Sequence, residues 1–69
     1  ANIVANAILN LAPAVPPLMA PGAVFIASGI IDERKEEVIE GLKKSGLVVD
    51  TVREDNGWVA LICYIGEEN

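Results

Sequence analysis

The 69 residues are enough for one domain at most, and a chain this short buries only about 60% of its unfolded surface. Hydrophobic residues make up 52% of it, and the net charge is −5 with no histidine. That excludes a disordered chain and argues against a phosphate-backbone partner, so no nucleic acid is expected. The single cysteine, Cys63, excludes an internal disulfide and gives no metal cluster.

Residues 1–31 carry no charged side chain. Their length would suit a membrane span. However, Pro13, Pro16, Pro17, Pro21 and Gly22 interrupt the run, and no basic flank marks one side. A charged signal-peptide start is also missing. The segment reads as buried globular chain with no membrane role, and the cysteine usage fits a reducing cytoplasm.

In chain order, "ANIVA" at 1–5 does not alternate and reads as a strand buried on both faces. "AILNLAPAVPPLM" reads as a partly helical crossover. Pro13 can open a helical turn, but Pro16 and Pro17 cannot both sit inside a helix. "APG" at 20–22 is a stop and turn, and "AVFIAS" at 23–28 is a second non-alternating strand. "SGIIDERKEEVIEGLKKSG" predicts the clearest helix. Asp32 is its expected N-cap. Glu33, Glu36 and Glu37 come early and Lys43 and Lys44 late, as the helix dipole prefers. Ile31, Val38, Ile39 and Leu42 form the inward stripe, Glu40 and Lys44 an i,i+4 pair, and Gly46 the stop.

"LVVDTVRE" alternates like a strand near an edge, with Asp50 and Glu54 sharing a face with Val48 and Val52. Asn56-Gly57 is a strong hairpin signal. In "WVALICYI", Trp58, Ala60, Ile62 and Tyr64 point one way and Val59, Leu61, Cys63 and Ile65 the other. Both faces are apolar, so the last strand is interior.

The expected order is β-α-β-α-β-β. The βαβ units are parallel and right-handed, and the last strand is antiparallel, inserted between "AVFIAS" and "LVVDTVRE". The strand at 1–5 would then be an exposed hydrophobic edge, a liability for aggregation. The expectation is the C-terminal half of a larger Rossmann-like α/β sheet, completed by a missing N-terminal half or by a homodimer partner at strand 1–5.

A parallel α/β sheet with its last strand inserted antiparallel resembles the class I S-adenosylmethionine-dependent methyltransferases. "VAN" at 4–6, "LAP" at 11–13, "PGAVFIASGII" at 21–31 and "GWVAL" at 57–61 are similar to the C-terminal half of the PrmA family, the methyltransferases of ribosomal protein L-eleven. The resemblance covers essentially all 69 residues and implies an enzyme that transfers a methyl from S-adenosyl-L-methionine to amino groups, lysine side chains in particular, of that ribosomal protein. It implies that Asn6 lies at the cofactor pocket. Asn6 would end the first strand, where ligands of open α/β sheets sit; alternatively it caps the following helix. Ser28 and Gly29 would lie on the same rim or form an ordinary strand-to-helix turn. The family's glycine-rich cofactor loop and its ribose-binding acid lie upstream of the matching region, and the stretch between Asn6 and Leu11 is shorter than the family pattern. Residues 1–69 would thus be the C-terminal part of a catalytic domain, inactive alone, with no residue standing out as a general base.

Other side chains have plain readings. Trp58 packs at the hairpin or in the core, the acidic helix face around Glu36, Glu37 and Glu40 is solvated, and Cys63 is an inert core residue. The rival to the enzyme reading is a free-standing α/β binding or dimerisation module that pairs its first strand with a second copy.

Overall fold

The computed structural model describes residues 3–66. Helix α1 spans Ile3–Leu11, a 3-10 turn Ala12–Ala14 follows, and the short helix α2 spans Val15–Leu18. Strand β1 (Val24–Ile31), a 3-10 turn (Asp32–Arg34), helix α3 (Lys35–Lys44) and strands β2 (Leu47–Asp55) and β3 (Trp58–Ile65) complete the order. The sheet has three strands in the order β1-β3-β2, and β3 is antiparallel to both neighbours.

The last strand is therefore interior, as its two apolar faces require. The sequence reading is corrected at the start of the chain. Residues 3–5, expected in a strand, are helical; residues 1 and 2 lie outside the described residues. A strand needs a neighbour for its backbone groups, whereas a helix satisfies them internally. Ala5, Ile8, Leu9 and Ala12 also stand at i, i+3, i+4 and i+7, the spacing of one helical face. Ala5, Ile8 and Ala12 are buried and Leu9 packs beside them. The prolines follow the physics of helix starts: Pro16 and Pro17 fall in the first turn of α2, where N–H groups have no intrahelical acceptor to lose.

Strand β1 runs farther than expected, through "SGII", so the main helix is shorter than its periodicity suggested. Asp32 is not a cap: it opens the 3-10 turn with no side-chain capping bond, and its backbone N–H donates to the Gly57 carbonyl at 2.9 Å. That bond ties the end of β1 to the hairpin. Helix α3 keeps Glu36 and Glu37 in its first turn and Lys43 and Lys44 in its last. Glu40 and Lys44 form no pair; the ion pairs among the described residues are Arg34–Glu37 and Lys35–Glu54.

The β2–β3 hairpin turns through Asn56 (φ 52°) and Gly57 (φ 83°). Both are left-handed, the signature of a type I′ turn whose twist matches the strands it joins. A bulge at Asp50 breaks the expected alternation of β2. Beyond it, Val52 faces Leu61 and Glu54 faces Val59 across the sheet, so both join the face of Leu47 and Val49. That switch lets Glu54 reach Lys35 Nζ at 2.7 Å.

The core lies between the helices and one face of the sheet. Ile30, Val38, Leu42, Val59, Leu61 and Cys63 are fully enclosed there. Helix α1 meets α3 where Gly41 has no side chain: a Cβ built at Gly41 would collide with Leu9 Cδ2. The other face of the sheet carries no helix among the described residues.

Candidate functional site

Strands β1 and β2 both oppose β3, so they run in the same direction. Their carboxyl ends lie at Ile31 and Asp55, beside the hairpin. In open, mostly parallel α/β sheets ligands bind outside the carboxyl ends of the strands; here the intervening β3 runs the other way.

Ser28 and Gly29 form a bulge in β1. The register pairs Ala27 with Leu61 and Ile30 with Val59, so two residues of β1 stand opposite Ala60 alone. In a regular strand Ala27 and Ile30, three residues apart, would point to opposite faces. With the bulge, both are buried. Gly29 takes φ +77° to make the bulge, a conformation that costs little only for glycine. Both bulge residues are exposed. They do not end the strand, as the sequence reading had it, but interrupt it, with Ile30 and Ile31 still to follow.

Asn6 sits inside α1 rather than at a strand terminus, and it caps no helix. Its Oδ1 accepts a hydrogen bond from Arg34 Nη2 at 2.9 Å. The guanidinium only donates, so the carboxamide oxygen must face it. The Nδ2 group of Asn6 has no hydrogen-bond partner among the described residues. Arg34 is itself fixed by Glu37, with Nε to Oε1 at 2.7 Å and Nη2 to Oε2 at 3.0 Å. This forked contact is the strong geometry for an arginine–carboxylate pair. Its hydrogen bonds raise the Arg34 pKa further above its ordinary value and hold the Glu37 carboxyl below its own. Val4, two residues before Asn6, lies over Gly29, 3.7 Å from where a Cβ would stand. The fold thus brings the start of α1, the bulge and the turn after β1 to one rim. Sequence reasoning missed Arg34, since nothing in "DERK" distinguishes a positioning cation from a solvated one.

A hollow of about 560 Å³ opens at the opposite end of the sheet, between residues 20–24 and Tyr64–Gly66. It has no ionisable carboxyl or amine in its lining, so it is kept apart from the candidate site. Cys63 is buried, as expected of a core residue, and burial pushes its thiol up from the ordinary value, which disfavours the reactive thiolate. No group of metal-ligating side chains occurs among the described residues. No helix among them is long and apolar enough to cross a membrane.

Residues 1–65 match the family described as "Ribosomal protein L11 methyltransferase (PrmA)". Proteins named ribosomal protein L11 methyltransferase are similar to the chain in several bacteria. The one from Desulfatibacillum aliphaticivorans is 48% identical over 61 residues, covering 88% of this chain and 20% of the relative. That of Desulforamulus reducens is 46% identical over 65 residues, covering 94% and 21%. The Listeria monocytogenes protein is 44% identical over 68 residues, covering 99% and 22%. The chain therefore spans about a fifth of the length of these relatives, and the match lies in their C-terminal part. No solved structure matches it significantly. With a family match across 65 residues and relatives at 44–48% identity, the chain belongs to the ribosomal protein L11 methyltransferase family.

Proposed function

We propose that residues 1–69 are the C-terminal part of the catalytic domain of a methyltransferase that modifies amino groups of ribosomal protein L11, lysine side chains in particular. The observation that carries this reading is the family match over residues 1–65. It favours an enzyme over a free-standing dimerisation module. Work on ribosomal proteins agrees with a cytoplasmic enzyme.

S-adenosyl-L-methionine, when bound, supplies a methyl group on a sulfonium centre. The residues present fit its methionyl end. Arg34 holds the oxygen of Asn6, which leaves its N–H donors unpartnered among the described residues, and a carboxylate accepts such donors well. Ser28 and Gly29 form the exposed rim beside it, where the glycine lets a ligand come close to the backbone. The role of these residues is positioning. A neutral amine reacts when it is aligned and freed of water, so orientation and desolvation supply most of the rate.

The test uses the intact protein that contains these residues. Asn6→Ala should weaken S-adenosyl-L-methionine binding about tenfold by calorimetry, the size of one hydrogen bond to a charged group. Unchanged affinity would remove Asn6 from the pocket. Absence of methyl transfer from the wild-type protein to ribosomal protein L11 would remove the substrate. The 69-residue chain alone should neither bind the cofactor nor transfer the methyl group, and micromolar binding by it would overturn that expectation.

A further inference from the structure

The contact between Arg34 and Asn6 joins residues 28 apart in the chain, and it ties helix α1 to the turn after β1. Both sides of it are held from behind. Asn6 follows Ala5, which is fully enclosed. Arg34 stands between the 3-10 turn and α3, where the Lys35 N–H bonds to the Asp32 carbonyl and Asp32 is itself tied to the hairpin. The Arg34 side chain is 23% exposed against 55% for Glu37. A surface ion pair alone adds little stability, and the fork to Glu37 forms without any help from Asn6. The third contact is the informative one. Nη2 carries two N–H groups and reaches Glu37 Oε2 and Asn6 Oδ1 together.

A carboxamide has two ends of nearly equal shape and opposite hydrogen-bonding sense. Free to turn over, Asn6 would offer its oxygen as readily as its nitrogen, and an oxygen facing a carboxylate repels it. A guanidinium only donates, so turning the amide over would set N–H against N–H. We propose that Arg34 is a positioning residue for the methyl-transfer site: braced by Glu37, it fixes the Asn6 carboxamide with its N–H end toward the ligand, so that Asn6 is a donor to the cofactor's carboxylate and not an acceptor for the incoming amine. The inference rests on the proposed place of Asn6 in the cofactor pocket. Lysine is no substitute at this position. It keeps the charge but lacks the planar fork that meets Glu37 through two nitrogens and still reaches Asn6.

The test is a double-mutant cycle on the intact protein, read by calorimetric titration with S-adenosyl-L-methionine. Arg34→Met keeps the apolar stem and removes the donors. It should weaken binding about fivefold, the cost of ordering one side chain on binding, and Arg34→Lys should weaken it similarly. In the Asn6→Ala background Arg34→Met should change nothing, because no carboxamide is left to orient. An equal loss in both backgrounds would show a role in folding or overall charge and overturn the proposal. Full affinity in Arg34→Met beside weakened Asn6→Ala would overturn it while leaving Asn6 in the pocket. Unchanged affinity in Asn6→Ala would instead sink the reading of the pocket and this proposal with it. A second readout needs no cofactor. Relaxation of the 15N-labelled Asn6 side-chain amide should show an ordered group that becomes mobile in Arg34→Met, and equal mobility in both proteins would overturn the proposal whatever the affinities.

Discussion

At Gly29 the sequence asks for a backbone that other residues resist. Its φ of +77° builds the bulge that turns both Ala27 and Ile30 inward. A Cβ there would make only ordinary contact with Val4, so the cost of replacement lies in the backbone. Gly29→Ala should lower unfolding free energy by about 1 kcal/mol in urea titrations. Cys63 should resist thiol reagents in the folded protein and react fully once unfolded; its position in mid-strand made that inertness legible in the sequence. Asn6 shows the opposite. Its residue type suggested a polar role, but its setting was hidden. A short uncharged run such as "ANIVANAIL" carries the strand and helix patterns together, and periodicity cannot separate them. What decided was the helical spacing of Ala5, Ile8 and Ala12 against the core.

Elements defined by their own punctuation were the easiest to read. Asn56-Gly57 predicted its hairpin because few other residue pairs accept two left-handed conformations in succession. The charge order of α3 and its stop at Gly46 were visible for the same local reason. The length of α3 was not, because "SGII" satisfies a helical stripe as well as a bulged strand. Two predictions belong at this scale. Gly41→Ala gains about 1 kcal/mol of helix propensity, but it must displace Leu9, so the net gain should be well below that figure. Adding Leu9→Ala should restore the coupling-free gain in a double-mutant cycle. The second concerns acid. Glu37 has its folded pKa lowered by Arg34. The stabilisation is therefore complete above the unfolded glutamate value of about 4.3 and is lost as pH falls through the lower folded value. Glu37→Gln should lack that acid-sensitive component in thermal melts between neutral and acid pH, and loosening of Asn6 should accompany it.

For the molecule as a whole, the excess of apolar residues was the most telling bulk property. So small a core cannot enclose all of them, and the structure leaves Val24, Ile26, Trp58 and Tyr64 exposed on the bare side of the sheet. The covered side behaves as an ordinary core: Leu42→Ala or Leu61→Ala, both at fully enclosed positions, should cost about 2–5 kcal/mol by calorimetry. The strand order was legible because the burial of "WVALICYI" demanded a central place. The helix α1 over Ile3–Leu11 was not, since it depends on which neighbours offer backbone partners.

The central place of β3 also dictates when this fold can exist. Strands β1 and β2 do not pair with each other; each finds its strand partner in β3, which is made after both. During translation both must wait without partners until Ile65 has cleared the exit tunnel. A chain cut short within β3 would lose part of the one strand that joins them, and the loss would fall on the whole sheet rather than on a frayed end.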